Sequence, residues 1–230
     1  MAALNVGLSA QSWSCLASGI VFGSMAQRIS GLYRLVTLPS FHRTLMFALG
    51  QDRGLTTYAR DFLRAKSGMT VLDVGCGPAT ILDYLPDIDY TGLDLNERHI
   101  SSARQRYGDK GRFIVGDAVS DLRQQNGSFD LIIISALLHH LSDDQARSLF
   151  RSIRTLMKPR GRIVTLDPVW LPRQRAVAKF LNRMDSGMNI RTPEGYASLF
   201  EGLSLDFQTR TLNNLLRVPY DHFVMIGAAP

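Results

Sequence analysis

Between Val71 and Ala79 the chain reads Val71-Leu72-Asp73-Val74-Gly75-Cys76-Gly77-Pro78-Ala79, an apolar run that passes without a spacer into a glycine turn. The run suits a buried strand, and its glycine end suits a turn into a helix. Gly75 and Gly77 let backbone approach a ligand where a Cβ would clash. In open α/β sheets, ligands bind beyond the strand ends where the order of connection reverses. A dinucleotide fingerprint needs a third small residue three positions after the second glycine. Here Gly77 is followed by Pro78, Ala79 and Thr80, so that spacing fails. No Gly-Lys-Ser/Thr phosphate loop is present either. Asp73 inside the motif suits a cationic, phosphate-free ligand better than a pyrophosphate. The plainer alternative is a tight strand–helix turn that binds nothing.

The rest of the chain alternates in the same style. Short Val- and Ile-rich strands are expected at Val71–Val74, Tyr90–Leu95, Arg112–Val115, Asp130–Ser135 and Arg162–Leu166. Helices are expected between them, near Thr80–Leu85, Glu97–Tyr107 and Asp143–Met157. Such alternation implies right-handed crossovers and a parallel sheet covered on both faces. Thr192-Pro193-Glu194-Gly195 reads as a helix start, with Thr192 as cap and Pro193 in the first turn. Two further strands follow at Leu205–Leu212 and Phe223–Ile226, the first with a possible continuation through Leu215–Val218. The predicted class is α/β: a doubly wound, mostly parallel seven-stranded sheet with an antiparallel final strand. The 230 residues suit one domain. Its expected parts are an uncharged extension (1–27), N-terminal helices (28–66, with Gly50 as a stop), a ligand-binding core (67–168), an insertion (169–204) and terminal strands (205–230).

Three more strand ends carry polar groups in a consistent order. Asp94, followed by Leu95, ends the second strand about twenty residues on, where a carboxylate accepts from two ribose hydroxyls. Asp117 follows the third strand and can accept from an adenine amine, while the Ala118 N–H donates to the ring. Phe129–Ser135 gives a fourth strand whose end, Ser135, opens toward the same pocket. Each acid taken alone is as readily a turn or cap residue.

Taken together, Val71–Ala79, Asp94, Gly116-Asp117 and Leu137-Leu138-His139-His140-Leu141 resemble the class I S-adenosylmethionine-dependent methyltransferases over roughly Arg64–Pro168. Lys158-Pro159-Arg160-Gly161-Arg162 resembles the leader into their fifth strand. The resemblance implies a Rossmann-like methyltransferase fold with S-adenosyl-L-methionine as cofactor. Asp73, Gly75 and Gly77 would line its methionine part, Asp94 the ribose and Asp117 the adenine, with Leu95, Ala118 and Ser135 also among the cofactor-binding residues. Ala79 stands where many members carry a third glycine.

A hydroxyl or ammonium acceptor also needs a base. His139 and His140 are the candidates, His140 ahead by a small margin. Asp167 is a second choice; a helix-packing role is the plainer reading of the pair. His42, Tyr220 and His222 belong to variable parts that can wall the acceptor. Trp170, Met184 and Met188 read as core, and Arg191 as a partner for Asp185 or for an anion. In place of an (Asn/Asp)-Pro-Pro-(Tyr/Phe) segment stands Ser135-Ala136-Leu137-Leu138, which disfavours methylation of nucleic-acid base amines.

The net charge is +6, and from Arg147 to Arg183 ten basic residues face one acid, Asp167. Arg147, Arg151, Arg154 and Lys158 would share a helix face. A solvated face is the plain reading, and an anionic partner (RNA, a phosphorylated substrate or a membrane) the sharper one. The first 27 residues hold no charged side chain. They read as an extension or a helix laid on the domain rather than an export signal. Peripheral membrane contact through this segment and the basic face is one expectation. Cys15 and Cys76 suggest neither a disulfide framework nor a metal site, which fits a cytoplasmic setting. The expected function is methyl transfer to an O or N atom of a small molecule, lipid- or saccharide-linked acceptors included. The alternatives are an RNA or protein methyltransferase and a binding module without turnover.

Overall fold

The computed structural model describes residues 50–117 and 128–229. The expectations for residues 1–49, among them the 1–27 extension, Cys15 and His42, and that for Ala118 lie outside the described residues.

Seven strands form one sheet: β1 (Thr70–Val74), β2 (Asp89–Asp94), β3 (Arg112–Val115), β4 (Phe129–Ser135), β5 (Met157–Pro168), β6 (Asp206–Leu212) and β7 (His222–Ala228). Their order is β3-β2-β1-β4-β5-β7-β6. β1 to β5 pair in parallel, and β7 runs against both its neighbours. The helices are α1 (Gln51–Tyr58), α2 (Glu97–Tyr107), α3 (Asp143–Leu156), α4 (Ala176–Met184) and α5 (Pro193–Ala197). The first strand thus lies at the centre, and the chain reverses its direction of winding between β1 and β4. That is where such sheets open a crevice.

Both faces of the sheet are covered, so its central strands read as continuous apolar runs. In β4, Ile132 and Ile134 join Leu72 and Val74 against Leu149, Phe150 and Ile153 of α3. Leu131 and Ile133 point the other way, with Val71, toward Tyr58 of α1 and Ile100 and Ala103 of α2. This alternation places helices on opposite faces. α3 begins with a capping box, in which Ser142 and Gln145 bond each other's backbone N–H. α2 starts from Asn96, whose side chain accepts from the Arg98 N–H.

Three expectations change. The helix expected at Thr80–Leu85 is a 3₁₀ turn over Thr80–Tyr84. Gly50, expected as a stop, precedes α1 with φ 85°, and the segment it was expected to end lies outside the described residues. β6 ends at Leu212 and does not extend through Leu215–Val218. Lys158 lies past the end of α3 and ion-pairs with Asp130 at 2.9 Å, so it is not on the helix face of Arg147, Arg151 and Arg154.

Candidate active site

The strand ends converge on a cavity of about 880 Å³. Asp73, Gly75 and Gly77 line it from β1, Asp94 and Leu95 from β2, Gly116 and Asp117 from β3, and Ser135 from β4. All the described residues expected to hold the cofactor are thus brought together. Gly75 and Gly77 have φ of 73° and 54°, a left-handed backbone that favours glycine. A Cβ on Gly75 would press Leu137 at 3.1 Å, whereas one on Gly77 would enter open space. Ala79, where family members carry glycine, is buried at φ 55°. Such a conformation costs an alanine on the order of 1 kcal/mol, and strain of this kind gathers at functional sites. Ala136, just past β4, repeats it at φ 53°.

The carboxylates differ in their surroundings. Asp73 is almost fully buried and accepts from the Tyr90 hydroxyl at 2.7 Å. Burial pushes its pKa up to about 7, with the Tyr90 hydrogen bond working the other way. Asp94 Oδ2 accepts from the Gly77 N–H at 2.9 Å, and Oδ1 from the Asn96 N–H at 2.7 Å. His99 Nδ1 lies 3.5 Å from Oδ2. Burial raises the pKa of Asp94, but His99 and the backbone donors outweigh it and hold the carboxyl below its ordinary value. Sequence reasoning misses Tyr90, Asn96 and His99 as supports. Of the three, only Asn96 carries a local signal, a capping residue ahead of a helix.

The two candidate bases differ sharply. His139 is 4% exposed and both its ring nitrogens are engaged. Nδ1 lies 2.8 Å from Asp167 Oδ1, which also accepts the His139 backbone N–H, and Nε2 lies 3.2 Å from Asp185 Oδ1. Burial opposes its charge, yet the two carboxylates push its pKa up to about 9. His139 is therefore an imidazolium clamp without a nitrogen to spare. His140 lies against it, ring centroids 4.1 Å apart and ring planes tilted by 40°. Burial, then the His139 charge, holds His140 down to about 4. Its Nδ1 is buried without a hydrogen-bond partner among the described residues.

The clamp organises a further part of the wall. Asp185 also accepts from the Gly187 N–H at 2.7 Å and the Tyr220 hydroxyl at 3.0 Å. Asp185, Ser186, Tyr220 and His222 line the same cavity as the cofactor residues. Asp167, the second-choice base, is 1% exposed and is committed to His139. Arg191 pairs with Asp143 at 2.8 Å and donates to the Leu138 and Leu141 carbonyls, not to Asp185. Met184 and Met188 are not core: they are 42% and 61% exposed. A second cavity, of about 460 Å³ and lined by Arg64, Arg162 and Phe207, holds none of the C-terminal ends of β1–β4. Its Arg162 is occupied by the carbonyls of Phe62 and Leu63.

Four carboxyl groups (Asp73, Asp94, Asp117 and Asp185) line the main cavity, and among the described residues no lysine or arginine does. Such a donor set repels phosphates and fits a cationic nucleoside with free ribose hydroxyls. S-adenosylmethionine, a sulfonium bearing an ammonium, is such a ligand.

Residues 71–161 match the family described as the methyltransferase domain. The sterol 24-C-methyltransferase of Gibberella zeae is 29% identical over 74% of this chain and 47% of its own length. The demethylmenaquinone methyltransferase of Beutenbergia cavernae is 32% identical over 55% of this chain and 53% of its own. The chain spans from about a fifth to about half of the length of the curated relatives it matches. Among solved structures, a SAM-dependent methyltransferase from Archaeoglobus fulgidus superposes with a TM-score of 0.66 at 18% identity, covering 82% of this chain and 99% of that one. The mitomycin 7-O-methyltransferase gives 0.62 at 22%, covering 87% and 61%. Residues 71–161 thus carry a methyltransferase-domain sequence, and the fold around them is that of the solved methyltransferases; with the cavity chemistry they support a class I S-adenosylmethionine-dependent methyltransferase.

Proposed function

We propose that the chain transfers a methyl group from S-adenosylmethionine to an oxygen or nitrogen of a small-molecule acceptor, within a class that includes lipid- and saccharide-linked molecules. The observation that carries this is the single cavity in which the cofactor carboxylates face His140 and Tyr220. The chemistry supplied on cofactor binding is a sulfonium-activated methyl group.

In this reading Asp94 accepts from the ribose hydroxyls, Asp117 takes the adenine edge, and Asp73 with the Gly75–Gly77 turn receives the cationic amino-acid end. The chain's task is to hold the acceptor in line and dry, and such positioning supplies on the order of 7–11 kcal/mol. His140 is the base. Held near 4, it is neutral at physiological pH and free to accept a proton. It is a weak base, which suffices because an acceptor hydroxyl becomes far more acidic as its oxygen bonds to carbon. His139, with both ring nitrogens taken, positions His140 and Asp185.

Calorimetric titration with S-adenosylmethionine and S-adenosylhomocysteine, repeated on Asp94→Ala, tests the cofactor half. Binding should weaken on the order of a hundredfold, as expected for losing two hydrogen bonds to a charged acceptor. Incubation of labelled donor with metabolite and lipid extracts tests the rest. Binding with no S-adenosylhomocysteine formed from any acceptor pool would leave a binding module and reject methyl transfer.

A further inference from the structure

Helix α4 is inverted relative to an ordinary surface helix. Its inward residues include Ala178 and Asn182, and with Gln174 just ahead of the helix they leave a polar inner face. Gln174 Nε2 and Asn182 Nδ2 both donate to the Val169 carbonyl, at 2.9 and 2.8 Å. Apolar residues face outward instead, beside the exposed Arg183. Val177, Phe180 and Met184 follow at helical steps and are 49%, 59% and 42% exposed, and Met188, four residues past the helix end, is 61% exposed. Seven large hydrophobic side chains are exposed among the described residues; this one helix holds three of them and the segment after it a fourth. A soluble helix turns its apolar stripe inward, so a stripe turned outward marks a docking face.

The surrounding charge identifies the occupant. No acidic residue lies between Pro168 and Met184, while Arg173, Arg175 and Lys179 flank the stripe. A second copy docking here by twofold symmetry would set these cations against their own kind. The chain's residues 1–27 carry no charge to meet them. A surface that takes apolar side chains and attracts cations at once is an anionic bilayer. We propose that α4 docks on anionic phospholipid membranes, its stripe at the acyl boundary and its cations at the headgroups. This stands on the helix alone and not on methyl transfer. Asp185 and Ser186, next along the chain, line the cavity. On the cavity reading above, docking therefore sets the acceptor entrance near the lipid–water boundary.

Vesicle flotation with the full chain tests the proposal, using phosphatidylcholine vesicles with and without phosphatidylglycerol. The chain should float with the anionic vesicles at low salt and on the order of a hundredfold less well with neutral ones, since each of three cations contributes roughly fivefold. Val177→Glu/Phe180→Glu should lose flotation about tenfold or more while keeping its melting temperature and S-adenosylhomocysteine affinity. Flotation that ignores lipid charge, or persists in the variant, overturns the proposal. So does a wild-type chain that fails to float while the variant melts earlier or changes from dimer to monomer, because the stripe is then covered by protein. Loss of nucleoside binding in the wild type would sink the cavity reading and leave the flotation result untouched.

Discussion

Replacing His139 by Gln tests the clamp most directly. In the folded chain the imidazole sits between Asp167 and Asp185 with its pKa raised to about 9, against an ordinary 6.5. A group whose folded pKa lies above its unfolded one adds stability that is fully present below about pH 6.5. That stability is lost as pH rises through 9. The gap corresponds to about 3 kcal/mol at 1.36 kcal/mol per unit, and removal of one member of a buried ion pair costs a comparable 3–5 kcal/mol. His139→Gln should therefore unfold about 6–12 °C lower than wild type near pH 6, at about 2–4 °C per kcal/mol for a chain of this size.

Asp73 complicates a single pH profile. Its raised pKa also favours the folded state at low pH, and that contribution is lost between pH 4 and about 7. The informative quantity is the difference in urea-unfolding free energy between wild type and His139→Gln at each pH. Asp73 and the unfolded-state terms common to both chains cancel in it. The difference should be flat to about pH 6.5 and shrink steadily toward pH 9. A difference that stays constant, or grows, from pH 6.5 to 9 refutes a charged His139 as the clamp.

Asp73 titrates near 7 until a cation arrives, so cofactor binding should expel a proton. Titrations at pH 6.5 in buffers of different ionisation enthalpy should show that release, and affinity should rise from pH 5 to 8; pH-independent binding would count against Asp73 as the ammonium partner. His140→Ala should lower kcat on a hydroxyl acceptor on the order of 10²–10⁴-fold and leave S-adenosylhomocysteine affinity unchanged. The wild-type rate should hold above about pH 5 because the imidazole is neutral there. Gly187→Ala would drive a methyl into the His139 ring and to 2.8 Å from its carbonyl oxygen. A loss of roughly 1–3 kcal/mol in chemical denaturation is expected, and an unchanged midpoint would show that the Asp185–Asn189 segment does not rest on His139.

What could be read in the sequence was what short-range chemistry dictates. The Gly75–Gly77 turn needs left-handed backbone, α2 runs over its expected Glu97–Tyr107, and Thr192 caps α5 through the Gly195 N–H. The strand ends could be ordered because an alternating α/β chain has few permitted topologies. The clamp could not be read. His139 and Asp185 meet only after β5 and α4 have folded back, and nothing near Asp185 distinguishes a partner for His139 from one for Arg191. The exposure of Met184 and Met188 was hidden for a similar reason. Periodicity shows that α4 has an apolar side but does not say which side faces the sheet, and here Ala178 and Asn182 take it.

The distribution of charge narrows the acceptor further than the fold does. Carboxylates gather inside the cavity, while the ten cations of the Arg147–Arg183 region do not line it. A bound sulfonium nucleoside offsets part of the interior charge, but no cavity-lining lysine or arginine among the described residues is there to hold an anion. A phosphate or carboxylate on the acceptor would meet a site whose four carboxyl groups outnumber its one imidazolium, His139, and like charges a few ångströms apart in such a site cost several kcal/mol. Neutral hydroxyl or amine acceptors with an apolar body should therefore turn over, and anionic acceptors should do so only when their charge sits far enough from the methylated atom to remain outside the cavity. A compact anionic acceptor with the highest kcat/KM of a panel would break this reasoning at the cavity, whatever the outcome at α4.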